Sequence, residues 1–168
     1  MTDAESLLTR LDAASERLQR HATEAAGAAG DRLTSPEPAT GERWDRGQVW
    51  AHLAEFIPYW IAQSRRVIET YEGTPVPFGR TKEDPERIAA IEQDRQRQTA
   101  DLWSKVQGDI DSLREFIANS DSKTWVAEGL HPKRGVMGMD RIVDEFLVGH
   151  IEEHANQLDE VSDAAQRA

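Results

Sequence analysis

Cysteine is absent from these 168 residues. That excludes a cysteine nucleophile, a disulfide and thiolate metal ligands, so any thiol in this protein's chemistry has to arrive as a substrate. Long apolar runs are also missing. The longest, "FIPYWIA" at 56–62, is far short of the ~20 residues that cross a bilayer. The opening stretch "MTDAESLLTRLDAASERL" has no basic-then-apolar leader. Basic charge is in deficit: 31 acidic against 20 basic residues leave a net charge of −11, which repels nucleic-acid phosphates and anionic lipid. Strand-like alternation, internal repeats and low-complexity tracts are not seen. The expectation is a cytoplasmic protein that acts on small molecules, with neither nucleic acid nor membrane as partner.

What is present is helical periodicity. Charged residues make up 30% and apolar residues 38% of the chain, a balance that suits helices with one buried stripe and charged outer faces. The first helix is predicted over 3–28, with Leu7, Leu11, Ala14, Leu18 and Ala25 on one face. The second runs from Asp45 to about Tyr71, opened by an Asp45–Gln48 capping box. Pro58 falls inside it, where a kink is expected. The third is predicted over 85–118 with a stripe of Ile88, Ile91, Leu102, Val106, Ile110, Leu113 and Ile117. The fourth spans 139–165. The fold class is all-α: one four-helix-bundle domain over 1–168.

The informative stretch is "VGHIEEHANQL", 148–158. Val143, Leu147, His150, His154, Leu158, Val161 and Ala165 succeed one another at steps of three or four, within an arc of roughly 80°. His150 and His154 therefore point into the bundle, where an imidazole needs a partner. Their i, i+4 spacing lets both ligate one cation. His52, in "WDRGQVWAHLAEF" at 44–56, is the candidate third ligand.

Trp44 to Glu55, with "HPKRG" and "HIEEHANQL" later in the chain, resembles the DinB-like superfamily, which includes YfiT-type metal hydrolases and mycothiol-dependent maleylpyruvate isomerases. The resemblance implies an up-down-down-up bundle, often dimeric. It also implies a divalent ion, zinc or nickel, on three histidines that match His52, His150 and His154, and chemistry with a low-molecular-weight thiol. The isomerases have a further C-terminal domain with no counterpart in these 168 residues, so the resemblance covers the bundle and its site and leaves that particular reaction open.

Three neutral imidazoles leave the ion's charge uncompensated, which suits activation of a small thiol or of water. The expected function is thiol transfer, isomerisation or hydrolysis, against a non-catalytic metal-binding or stress-response protein. An open polar pocket favours the enzyme, and a closed apolar one favours the non-catalytic protein, with the triad as a structural plug. Glu55 and Gln157 are the nearest acceptors for the second nitrogens of His52 and His154. Glu153 also fits the general base of an H-x-x-E-H protease, but too few residues come after His154 to supply the further acidic ligand and the cleft. His21 is expected in a capping or core role, and His131 as a loop residue. In the third helix, Arg95 and Gln98 interrupt the stripe and are expected to line a wet pocket beside the metal, Arg95 holding an anionic substrate group. Five tryptophans are more than one small core readily hides, and Trp103 is the expected contact of a homodimer.

Overall fold

The start signal at Asp45 operates as its spacing predicts. Its carboxylate accepts from the Gln48 N–H at 2.8 Å, and the Gln48 side chain accepts from the Asp45 N–H at 3.0 Å. Helix α2 (Arg46–Thr70) thus begins on a closed capping box. The computed structural model describes residues 3–23 and 32–166. Around α2 stand α1 (Ala4–Thr23), α4 (Thr99–Ala118) and one continuous helical run made of α6 (Met139–Val143), a π-helical turn (Asp144–Val148) and α7 (Gly149–Gln166). The expected extension of the first helix to 28, with Ala25, and the side chain of Ala165 lie outside the described residues.

Side-chain pairs give the helix directions. Arg10 binds Asp144 at 2.7 Å and Glu152 at 2.6 Å, and Arg17 binds Asp159, so α1 and α7 run the same way. His52 of α2 meets His150 and His154, whereas Trp60 stacks on Phe146 at 4.3 Å, so α2 and α7 run oppositely. Trp50 meets Trp103 at 6.1 Å and Ala54 meets Lys105, so α2 and α4 are parallel. Between them lie fully buried Leu7, Leu11, Trp50, Phe56, Ile110 and Leu113, each contributing roughly 1.5–3 kcal/mol.

Pro58 does not end α2. It has no N–H to give the Ala54 carbonyl, and Lys105 Nζ donates to that oxygen instead. A lysine from the neighbouring helix thereby satisfies the acceptor that proline orphans.

The third helix departs from expectation. It is two helices, α3 (Pro85–Asp94) and α4, broken at 95–98, with Arg95 as the C-cap of the first and Gln98 as the N-cap of the second. The interruption of the stripe at those two residues is an interruption of the helix. Ile88, expected inside, is 48% exposed. The break is held from outside: the Arg95 guanidinium binds Asp45 at 2.5 Å and Glu92 at 3.1 Å, and the Arg95 carbonyl lies against Gly47. A Cβ on Gly47 would stand 2.2 Å from that oxygen. Alanine at a helical position ordinarily gains up to about 1 kcal/mol over glycine. Here Gly47→Ala is expected to lower stability by about 1–3 kcal/mol, the cost of forcing packed groups apart. Denaturant midpoints measure this, and an unchanged or raised midpoint contradicts the close approach.

The region between α4 and α6 also corrects the sequence reading. A short α5 (Ser122–Trp125) leads into a small sheet, β1 (Val76–Pro77), β2 (Glu128–His131) and β3 (Gly135–Gly138), in that order. β1 is parallel to β2, and β2 is antiparallel to β3 with His131 opposite Gly135. Strands of two to four residues show no measurable alternation. The sheet brings the segment after β1 back over α2: Gly79 (φ +82°) turns there and donates to Gln63 Oε1 at 2.9 Å, which delivers Arg80 to the side of α2. No helix among the described residues is long and apolar enough to cross a membrane.

Candidate metal centre

The π turn sets the facing of α7. The Gly149 N–H reaches the Asp144 carbonyl five residues back, and a Cβ on Gly149 would lie 2.8 Å from that oxygen. A widened turn changes the azimuth of everything after it, and the very next residue is His150. His52 Nε2 and His150 Nε2 are 3.1 Å apart, and His150 Nε2 and His154 Nε2 are 3.0 Å apart. The three histidines each offer a nitrogen within 4.8 Å of the others. Nitrogens on one tetrahedral ion at about 2.0–2.1 Å stand ~3.3 Å from each other, close to this spacing. His52 and His154 are 4% and 3% exposed, and His150 is half-buried.

Each imidazole is held from behind by the residue three places on. His52 Nδ1 meets Glu55 Oε2 at 3.2 Å, His154 Nδ1 meets Gln157 Oε1 at 2.7 Å, and His150 Nδ1 meets Glu153 Oε2 at 3.4 Å. Acceptors at Nδ1 fix the proton there and turn the Nε2 lone pairs inward. With the protons at Nδ1, three Nε2 lone pairs face one another, and a cation between them would satisfy all three. Burial, then the neighbouring imidazoles, hold His52 well below the usual histidine range. Burial, then the charge of His150, push His154 down to about 3. Both are neutral at pH 7, the form a metal requires. The donor set therefore fits a divalent ion.

Glu55 is anchored in turn. Its second oxygen pairs with Arg80, whose guanidinium carbon lies 3.8 Å from the centre of the Tyr59 ring. His131, expected as a loop residue, ends β2. Its Nδ1 accepts from the Lys133 and Arg134 N–H groups, and its Nε2 donates to the Arg80 carbonyl at 3.2 Å. His21 is buried away from the site, at 2.5 Å from Asp159 and 3.3 Å from Ser162.

A small pocket of about 70 Å³, partly open to solvent, is lined by all three histidines. Trp44 forms one wall, stacked on His154 at 5.9 Å and edge-on to His52 at 4.9 Å. Phe56 packs against the imidazoles, 4.4 Å from His150. Thr34, Glu37, Glu42, Lys82, Arg87, Glu153 and Gln157 complete the lining. Arg95 and Gln98 are not in it: the helix break puts Arg95 on the α2 cap and leaves Gln98 exposed. The pocket's arginine is instead Arg87, on the first turn of α3. Asp84 caps that turn, accepting from the Arg87 N–H at 2.9 Å, and Arg87 Nη1 donates to the Lys82 carbonyl at 3.1 Å. Nothing in the local sequence distinguishes Arg87 from the chain's other basic residues. Glu153, the would-be general base of a protease, is held on His150.

No protein-family model and no curated protein matches this sequence. Among solved structures, the chain resembles the mycothiol-dependent maleylpyruvate isomerase, with a TM-score of 0.69 at 17% identity over 96% of this chain and 62% of that one. A histidine-to-alanine variant of that isomerase gives a TM-score of 0.68 at 16% identity, over 95% and 62%. The resemblance read in the sequence thus holds for the fold, the DinB-like fold. This chain spans about three-fifths of the isomerase's length.

Proposed function

We propose that this protein is a metal-dependent enzyme that activates a small thiol, or water, at His52, His150 and His154, for transfer, isomerisation or hydrolysis. One observation supports this above the others: three buried or half-buried imidazoles converge in a partly open pocket whose lining residues are mostly polar or charged. A closed apolar site would have favoured a structural plug. The helix directions support the reading of the frame as an up-down-down-up four-helix bundle. The solved structures that share the fold belong to a mycothiol-dependent isomerase, which agrees with a thiol co-substrate. A homodimer, with the half-buried Trp103 at its contact, belongs to the same reading.

A zinc or nickel ion held by the three imidazoles would supply a positive centre that lowers the pKa of a bound thiol or water. The chain's own residues do the remainder. Glu55, Glu153 and Gln157 keep the Nδ1 protons in place and the Nε2 lone pairs aimed inward. Trp44 and Phe56 keep water from the flanks of the imidazoles and preserve the force of the charges there.

Glu55→Ala tests this backing. It removes the His52 partner and leaves Arg80 with Asp84 alone, so metal affinity is expected to fall about 10–100-fold with all three ligands intact. Calorimetric titration of metal-free protein with Zn²⁺ reads it. An unchanged affinity contradicts the role given to Glu55. The function itself is tested by elemental analysis and then a screen of small thiols with electrophilic acceptors. Protein that binds no divalent ion overturns the reading.

A further inference from the structure

We infer that Arg87 is the anion-binding residue of the pocket, and that the small ligand taken there carries a carboxylate beside the group that reaches the three histidines. The inference rests on the function proposed above and adds to it a class of substrate.

Some of the charges lining the pocket are committed to one another, and Glu42 adds a carboxylate that acts on Arg87 without pairing with it. Lys82 is paired with Glu37, and Glu153 sits on His150. Arg87 differs. Among the described residues it enters no ion pair, and its guanidinium is fixed at one corner by the Lys82 carbonyl. It borders the pocket that His52, His150 and His154 also line, and its guanidinium carbon lies 5.6 Å from the centre of the Trp44 ring. Burial disfavours its charged form, and the carboxylates of Glu42, Asp84, Glu37 and Glu83 favour it from a distance without forming an ion pair with it. A guanidinium held in this way keeps donors free in a planar fork, the geometry that takes a carboxylate through two parallel hydrogen bonds. The pocket thus offers two attractions of one sign to a single ligand: the metal end and Arg87. A mercaptocarboxylate fits both.

The test compares 3-mercaptopropionate with 2-mercaptoethanol, which keeps the thiol and replaces the carboxylate by a hydroxyl. Both are titrated calorimetrically into zinc-loaded protein at pH 7, for the parent and for Arg87→Gln. The parent is expected to prefer the carboxylate by at least about tenfold, as a charge-assisted bond predicts. In Arg87→Gln the ratio falls to near one, while zinc content and 2-mercaptoethanol affinity are unchanged. An equal ratio in the two proteins overturns the subsite. The thiol reading is judged separately: a thiol bound as its anion releases about one proton, measured by repeating the titration in buffers of different ionisation enthalpy. No release, with an Arg87-dependent preference intact, sinks the thiol reading and upholds the subsite. Failure of both thiols to bind sinks both.

Discussion

His150→Ala is expected to abolish stoichiometric binding of Zn²⁺ or Ni²⁺, lowering affinity by more than about a hundredfold, while the protein stays folded. Loss of a supporting partner alone costs about 10–100-fold, and loss of a ligand costs more. His150 is the suitable position because its side chain is 29% exposed, against 5% for His52. Truncation there opens no closed cavity, and the loss of metal is not confused with loss of fold. His52 and His154 lie among Trp44 and Phe56, where a shortened side chain leaves a void. Elemental analysis after dialysis, with far-ultraviolet dichroism as the folding control, decides it. A folded His150→Ala protein that retains one ion per chain refutes the assignment of the site.

Stripped of metal by a chelator, the protein is expected to lose stability steeply as pH falls from 7 to 5. In the unfolded chain His52 and His154 take up protons near pH 6.5. In the folded chain His52 is held well below that, and His154 titrates only at about 3. Across that window the unfolded state binds more protons, so stability rises with pH and falls on acidification. His154 contributes roughly 2 kcal/mol of loss between pH 7 and 5, and His52 adds to it in the same direction. The Glu153 shift acts lower: its pKa is about 2 through its bond to His150, so the stability it contributes is lost as pH falls from about 4.5 to about 2. Urea denaturation at a series of pH values reads the slope. A flat profile from 7 to 5 means the two imidazoles are not kept neutral by the fold.

The helices and the histidine cluster were legible because both depend on local spacing. Asp45 and Gln48 announce α2, and His150 and His154 at i, i+4 share a face whatever the tertiary structure does. The Nδ1 acceptors are likewise one turn away, and that spacing is enough to identify two of the three, Glu55 and Gln157. The features that were not legible depend on distant partners. No glycine or proline marks the break at 95–98; it exists because Asp45 and Gly47, far back along the chain, receive Arg95. β1 finds β2 some fifty residues later. Arg87 lines the pocket from the first turn of α3, a placement that depends on how that short helix packs on α2. A broken helix reads in sequence as a broken stripe, and the break places Arg95 on the α2 cap and outside the pocket lining.

The three ligand–acceptor pairs are all intrahelical: 52 with 55, 150 with 153, 154 with 157. The orientation of each imidazole is therefore written in a four-residue segment and carried by its own helix. Assembly of the centre then has few degrees of freedom left. Two rods, each already bearing aligned nitrogens, need only the correct relative height and rotation about their axes. The π turn sets the rotation of one rod, and the Arg10 bonds to Asp144, where that turn begins, and Glu152, one turn beyond it, fix its height. Precision at the centre thus reduces to a problem of alignment between two rigid bodies, and small changes in how α7 seats on α1 and α2 become the natural means of retuning it.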